Sequence, residues 1–246
     1  MSGGIRWVSA VLGTPTAAAE ITEAFWAGVT GFGLRRDQED AATTRLAPGS
    51  GDPYLRLVRL GRHSGRTLHL ELVVKNVAKV AALAESLGGH VHRDSKDSAH
   101  LVSPGGFGVV LVRGERGKRP KPSRQPGGRT SIDQISLDVP PSSLASEIAF
   151  WSGLTEWEHV DRDPNDEFSR LARPDGIPLA FLIQRLDHDQ PVVTAHLDLA
   201  CDDRSAETTR HERLGATVVT RNPQWTVLQD PAGRAYCITD REPGST

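Results

Sequence analysis

The sequence predicts an α+β fold made of two tandem copies of one domain, and three observations support this prediction. Segments of the first half recur in the same order in the second half. Short stretches alternate apolar and polar residues at the period of two that β-strands follow. Helix-like stretches of about three turns, an ordinary helix length, interrupt these strand candidates. The 246 residues of the chain are also enough for two domains.

The internal repeat consists of three matched pairs of segments at nearly the same spacing, which indicates a duplicated domain. We therefore predict one domain over residues 1–113 and a second over residues 132–242. Residues 114–131 are rich in Arg, Lys, Pro and Gly, which is typical of an exposed linker. The matched pairs are Ala24–Phe32 with Ala149–Trp157, Leu68–Leu72 with Ala195–Leu199, and Ser103–Gly106 with Asp230–Gly233.

Each copy is predicted to hold two β-α-β-β-β modules, and the Gly88-Gly89 pair gives the clearest helix end. In the first copy we predict strands Ile5–Leu12, Leu34–Gln38, Thr43–Ala47, Tyr54–Leu60, Leu68–Val74, His90–Arg93, Ala99–Val102 and Gly108–Arg113, and helices Ala17–Val29 and Val77–Leu87. In the second copy we predict strands Ile132–Val139, Glu158–Arg162, Phe168–Ala172, Leu179–Leu186, Thr194–Ala200, Thr217–Arg221, Trp225–Gln229 and Ala235–Thr239, and helices Ser143–Leu154 and Arg204–Leu214.

Alternation along the strands separates a helix-covered face from a polar face. In the strand Thr194–Ala200, for example, Leu197 and Leu199 oppose His196 and Asp198. We expect the apolar face to pack under a helix and the other face to line a ligand-binding cup. The residues expected in the cup are Gln134, His196, Asp198 and Cys237 in the second copy and Trp7, Ser9, His69, Glu71 and Val110 in the first.

The motifs as a group resemble the vicinal oxygen chelate superfamily, and within it the glyoxalase-like, bleomycin-resistance-like branch. The resemblance is carried by the paired modules, the Phe-Trp-x-Gly helix end, the His-Leu-Asp-Leu strand and the Asp-Pro-x-Gly turn. It implies that the two modules of each domain form a curved eight-stranded sheet around a cup. It also implies a divalent metal held by His or Gln on the first strand, Glu on the fourth, His on the fifth and Glu on the eighth.

When the four metal-ligand positions of the family are placed on this sequence, few of the residues there are good metal ligands. Both expected carboxylates are missing, and hard cations such as Mg²⁺ need oxygen ligands with charge. We therefore expect no cofactor, although a Cys-His pair attracts zinc. The family positions are Trp7, Val58, His69 and Val110 in the first copy and Gln134, Gln184, His196 and Cys237 in the second, and this second set is the weak candidate for a metal site.

Most cup residues allow a structural interpretation beside a functional one. His196 and His69 are either hydrogen-bonded wall residues or acid/base groups, oriented in the second case by Asp198 and Glu71. Cys237 is either a small buried thiol or a nucleophile. The catalytic candidates are accordingly His196, Asp198 and Cys237, and the predicted ligand-binding residues are Gln134, Gln184, His196, Asp198, Trp225, Cys237, Trp7, His69 and Glu71.

Trp7 and the Phe-Trp pairs concern packing as much as function. Trp7 points into the first cup by parity, where it either fills a dead site or stacks on a planar ligand. Trp225 is a candidate wall residue of the second cup. Phe25-Trp26 and Phe150-Trp151 close two helices and are expected in the core between helix and sheet.

Two functional hypotheses of different class follow. In the first, the second cup binds a small organic molecule without a metal, for sequestration or resistance. In the second, the protein is an enzyme: a metal-dependent lyase, isomerase or dioxygenase, or a metal-free acid/base catalyst acting through His196. One fold hosts many chemistries, so the resemblance does not choose between them.

The composition of the chain limits the classes of partner and the cellular location that we expect. The net charge of −2 disfavours nucleic acid, and no apolar run is long enough to span a membrane. Two cysteines cannot form a disulfide framework, and the first residues lack a signal-peptide pattern, so we expect a cytoplasmic protein. The expected partner is a small-molecule ligand, and the duplication favours a pseudo-symmetric monomer or a homodimer.

Overall fold

The computed structural model describes residues 4–61, 67–161, 163 and 166–245, and it confirms the predicted α+β fold. In these residues each copy contributes its strands to its own mixed sheet, and each copy carries two α-helices. No helix among the described residues is long and apolar enough to cross a membrane.

In the first copy, most elements begin and end within two or three residues of the predicted bounds. The strands are β1 Trp7–Pro15, β2 Gly33–Arg36, β3 Thr43–Ala47, β4 Leu55–Leu60, β5 Thr67–Val74, β6 His90–Arg93, β7 Ser98–Val102 and β8 Gly108–Arg113, and the helices are α1 Ala19–Thr30 and α2 Val77–Ser86. Their order in the sheet is β2-β3-β4-β1-β5-β8-β7-β6.

The second copy repeats this arrangement, with one additional short strand, β9, ahead of it. The strands are β9 Ser123–Gln125, β10 Gly128–Val139, β11 His159–Val160, β12 Phe168–Leu171, β13 Ala180–Arg185, β14 Thr194–Cys201, β15 Thr217–Arg221, β16 Trp225–Gln229 and β17 Ala235–Thr239, and the helices are α3 Leu144–Thr155 and α4 Arg204–Arg213. The sheet order is β11-β12-β13-β10-β14-β17-β16-β15, with β9 paired to β10.

The segment expected to be an exposed linker is partly a hairpin. Strand β9 pairs antiparallel with the first residues of β10, so β10 begins at Gly128 rather than at the predicted Ile132. The start of β10 is set by backbone hydrogen bonds to β9. Backbone pairing does not require alternating apolar side chains, so the sequence pattern does not reveal this start. Arg162, the end of another predicted strand, lies outside the described residues.

The chain divides into two compact units that differ from the two sequence copies. One unit comprises residues up to Ser9 together with His69–Gly117 and Ile135–Ala195. The other comprises Ala10–Leu68, Lys118–Gln134 and everything from His196 onward. Each unit therefore combines a module of the first copy with a module of the second.

The unit that contains α1 and α4 has an aromatic core. Phe25 and Trp26 of α1 are buried, and both rings contact Tyr236 of β17 at centroid distances of 6.0 and 5.3 Å. Phe150 and Trp151 of α3 are equally buried in the other unit, so the predicted core position of both Phe-Trp pairs is confirmed. Large aromatic side chains supply much of the apolar area that such cores bury.

Helix α4 is strongly polar, and it packs through a hydrogen-bonded network instead of an apolar stripe. Glu207 Oε1 accepts a hydrogen bond from Arg210 at 2.5 Å and lies 3.2 Å from His211 Nε2. The other ring nitrogen of His211 lies 2.8 Å from the Tyr236 hydroxyl. Arg210 also donates 2.8 Å hydrogen bonds to the carbonyls of Gly28 and Val29 in α1, so the network ties α4 to α1.

Acid should destabilise the protein through Glu207. Burial alone would raise the pKa of Glu207, but hydrogen bonds from Arg210 and His211 lower it from 4.5 to about 2. The ionised carboxylate therefore stabilises the fold above pH 4.5, and this contribution, about 3 kcal/mol, is lost as the pH falls toward 2. Urea unfolding of the wild type and Glu207→Gln across this range measures it. If the difference in unfolding free energy between the wild type and Glu207→Gln were the same at every pH, Glu207 would not be the group that acid titrates.

Candidate functional site

The second sheet brings four of the predicted cup residues together on one face. Asp198 of β14 and Cys237 of β17 are register partners in a parallel pair, so their side chains project to the same side. Tyr236 projects to the opposite side, where its hydroxyl meets His211 of α4. The face that carries Asp198 and Cys237, here called the site face, is therefore the one turned away from α4.

His196 and Gln134 complete this cluster from either side of Asp198. His196 lies two residues before Asp198 on the same strand, and its Nε2 is 3.4 Å from Asp198 Oδ1. Gln134 of β10 donates a 2.6 Å hydrogen bond from Nε2 to Asp198 Oδ2. Asp198 and Cys237 are buried, whereas the His196 side chain stays 15% exposed and gives the cluster its contact with solvent.

The donor set of this cluster fits a divalent metal. A histidine nitrogen, a carboxylate oxygen of Asp198 and the Cys237 sulfur all lie within 4.8 Å of one another. Asp198 Oδ1 is buried and makes no hydrogen bond with the described residues. Buried carboxylate oxygens without a hydrogen bond are rare, and a metal ion would satisfy this one. Ligand atoms around a zinc-sized ion stand about 3.4–3.8 Å apart, so small side-chain shifts suffice.

Gln184 and Trp225 lie on two other strands of the second sheet, β13 and β16. The Gln184 amide on β13 donates a 2.6 Å hydrogen bond to Glu167, and Gln184 belongs to the other compact unit. Trp225 is the register partner of Thr239, which lies two residues after Cys237 on β17, so Trp225 is on the site face. Val227 is the register partner of Cys237 itself, so the site face becomes apolar beyond the thiol. Ligand contact at Gln184 and Trp225 stays a prediction.

In the first copy, Trp7 takes the first-strand position that Gln134 has in the second, and another segment of the chain covers its side chain. Trp7 is only 4% exposed, and a Cβ added to Gly117 would stand 3.0 Å from its indole ring. Glu71 is paired in register with the apolar Val110, and His69 lies two residues before Glu71. The backbone of Gly117 thus lies on Trp7, which favours the space-filling interpretation of this residue. Ligand binding by His69 and Glu71 stays a prediction.

Some polar groups of the unit that contains α4 were not predicted from the sequence. The buried Glu207 and His211 stand four residues apart on α4, a spacing that places two side chains on one helix face. This spacing of an acidic and a basic residue, on a helix with hardly any apolar residue, was the sequence feature that could have indicated a buried polar pair. Arg234 pairs with Asp230, four residues before it, but it also donates to the carbonyls of Gly13 and Thr67, more than 150 residues away, and the sequence gives no sign of these two contacts.

Comparison with known proteins identifies the fold. The Glyoxalase-like domain family matches residues 9–112 and 134–239. The Mn(II)-bound glyoxalase from Novosphingobium aromaticivorans is 18% identical, with 96% of this chain and 81% of that one aligned and a TM-score of 0.66. A mutant of homoprotocatechuate 2,3-dioxygenase from Brevibacterium fuscum is 14% identical, with coverages of 100% and 75% and a TM-score of 0.67.

A third similar structure is longer than this chain. It is a xylose isomerase-like TIM barrel/4-hydroxyphenylpyruvate dioxygenase fusion protein, 12% identical, with a TM-score of 0.60. The alignment covers all of this chain and half of the fusion protein. No curated protein matches the sequence.

The expectation of a site without a cofactor was wrong. The described residues include His196, Asp198 and Cys237 in an arrangement that could hold a metal ion, and a structurally similar glyoxalase carries Mn(II). The weak metal set of the sequence analysis contained His196 and Cys237 but took its other donors from Gln134 and Gln184. The carboxylate comes instead from Asp198, because residues two apart on a strand share a face.

Proposed function

Because the chain belongs to the glyoxalase-like domain family, we propose that it is a metal-dependent protein that binds and transforms a small organic molecule at the site face. The observation that carries this proposal is the cluster of His196, Asp198 and Cys237, with a buried Asp198 oxygen that makes no hydrogen bond with the described residues. A bound divalent ion would polarise an oxygen atom of the substrate.

The residues around the cluster divide the remaining tasks. Gln134 holds Asp198 by a 2.6 Å hydrogen bond, so the carboxylate keeps one orientation and presents its other oxygen to the centre. Val227 and Trp225 on the same face offer apolar surface for the carbon skeleton of the substrate. His196, the partly exposed member, lies where substrate would enter.

The metal content of protein purified without a His-tag tests this proposal. We expect close to one equivalent of a divalent transition metal in the wild type and, by loss of one of three ligands, less than about a tenth of that in His196→Ala. His90→Ala, which removes an exposed histidine of β6, should keep the metal. A wild type without metal after growth in supplemented medium would refute the proposal.

Ligand recovery then separates transformation from storage. Native mass spectrometry of the loaded protein gives the mass of a bound organic molecule, and incubation with that molecule shows whether it is converted. Conversion that is lost in His196→Ala supports catalysis. Binding without conversion would favour the sequestration role and contradict the enzymatic part of the proposal.

A further inference from the structure

We propose that Cys237 is a thiolate ligand that makes the metal centre selective for zinc or a similarly thiophilic ion over hard cations such as Mn²⁺ and Mg²⁺. This inference rests on the proposed function, because it specifies which metal the same site takes. Cys237 stands at the position on the last strand where the family resemblance implies a glutamate.

The donor chemistry carries the inference. Mn²⁺ and Mg²⁺ prefer carboxylate, carbonyl and water oxygens, whereas thiolate ligands select zinc and other soft or borderline ions. The cluster offers one sulfur, one nitrogen and one carboxylate side chain, all donors that zinc accepts. A thiolate and a carboxylate together also balance the charge of a divalent ion.

The sheet leaves Cys237 little freedom to withdraw from the centre. It is buried, and its strand is hydrogen-bonded on both sides, to β14 at Asp198 and to β16 at Val227. The Val227 side chain opposite Cys237 is apolar, and Gln134 Nε2 donates a hydrogen bond to Asp198. A metal held by Asp198 and His196 would therefore meet the thiol as its third protein ligand.

The second cysteine provides a matched control. Cys201 lies three residues after Asp198 on β14, so alternation places it on the other face of the strand. Its Sγ lies 3.5 Å from the Thr239 carbonyl oxygen, and burial raises the pKa of this thiol to about 12. Cys201 therefore stays protonated and should not ligate the ion.

Surface histidines need a separate control. His92 and His100 are highly exposed and flank Asp94, with Nε2 atoms 3.8 and 3.5 Å from its two oxygens. Such a pair can pick up zinc at the concentrations of a titration. All titrations should therefore use the His92→Ala/His100→Ala background, from which this surface site is removed.

The test compares Zn²⁺, Mn²⁺ and Co²⁺ binding to metal-stripped protein. We expect zinc to bind at least about 100-fold more tightly than manganese, and this ratio to fall by at least about tenfold in Cys237→Asp, where oxygen replaces sulfur. The Co²⁺ form should show a near-ultraviolet thiolate-to-cobalt charge-transfer band. This band should be absent in Cys237→Ser and unchanged in Cys201→Ser, with folding of each variant checked by circular dichroism.

The outcomes separate this inference from the proposed function. Manganese bound as tightly as zinc, or a cobalt form without the thiolate band, would overturn the role of Cys237 while leaving a metal site in place. Failure of every ion to bind the wild type would instead remove the metal site and with it the proposed function.

Discussion

Arg234→Ala should destabilise the protein by about 3–5 kcal/mol, because it leaves a buried carboxylate without its cation. The Asp230 side chain is fully buried, and Arg234 Nη1 donates a 2.7 Å hydrogen bond to its Oδ2. The same guanidinium donates to the carbonyl of Gly13 at 2.6 Å. One substitution therefore leaves a buried carboxylate without its cation and takes one hydrogen bond from the Gly13 carbonyl.

Chemical denaturation of Arg234→Ala and Arg93→Ala measures this effect against a matched control. Arg93 forms a two-point ion pair with Glu85, at 2.9 and 2.7 Å, but both side chains are more than 40% exposed. Exposed pairs of this kind contribute about 0–1 kcal/mol. If the two variants lose the same small amount, water reaches Asp230 once the arginine is gone, and the buried pair is not what holds this region.

The motifs that revealed the family hold the fold together, which explains why they predicted architecture so well. Trp26 of the Phe-Trp helix end donates a 3.0 Å hydrogen bond from Nε1 to Asp230 of the Asp-Pro-x-Gly turn. These residues belong to different sequence copies but to the same compact unit. Because the residues of these motifs make packing contacts between modules, the motifs predict the fold but say little about the reaction.

The site was partly visible in the sequence because alternation assigns residues to faces. It correctly placed Gln134, His196, Asp198 and Cys237 on one face of the second sheet. Alternation does not reveal which strands are neighbours or in which register they pair. That Asp198 faces Cys237 depends on the adjacency of β14 and β17, which are far apart in the chain, and this adjacency turns a set of polar residues into a candidate metal centre.

The polar network of α4 could not be predicted from periodicity. An amphipathic helix is recognised by its apolar stripe, and the residues buried on α4 are Glu207, Thr208 and His211. Their burial depends on partners from other elements, such as Tyr236 and the carbonyls of α1. The fold thus follows from local pattern, whereas the chemistry of buried polar groups follows from contacts between distant segments.

Glu147→Ala should cost about 3–5 kcal/mol of folding free energy in the other compact unit, because it leaves two buried donors without an acceptor. Glu147 is fully buried in α3. Its two carboxylate oxygens accept hydrogen bonds from the Gly105 backbone amide and from Trp151 Nε1, each at 2.7 Å. Here too an indole N–H, a carboxylate and a glycine turn join a module of one copy to a module of the other.

Two further variants show whether the lost hydrogen bonds cause the effect. Glu147→Gln keeps one acceptor oxygen and the side-chain volume, so its loss should be about half that of Glu147→Ala. Glu212→Ala removes a carboxylate that is 43% exposed and lies 3.7 Å from Arg221, and it should leave the unfolding free energy within about 0.5 kcal/mol of wild type. Equal losses in Glu147→Gln and Glu147→Ala would instead show that the negative charge, and not the number of acceptors, stabilises the Gly105 turn.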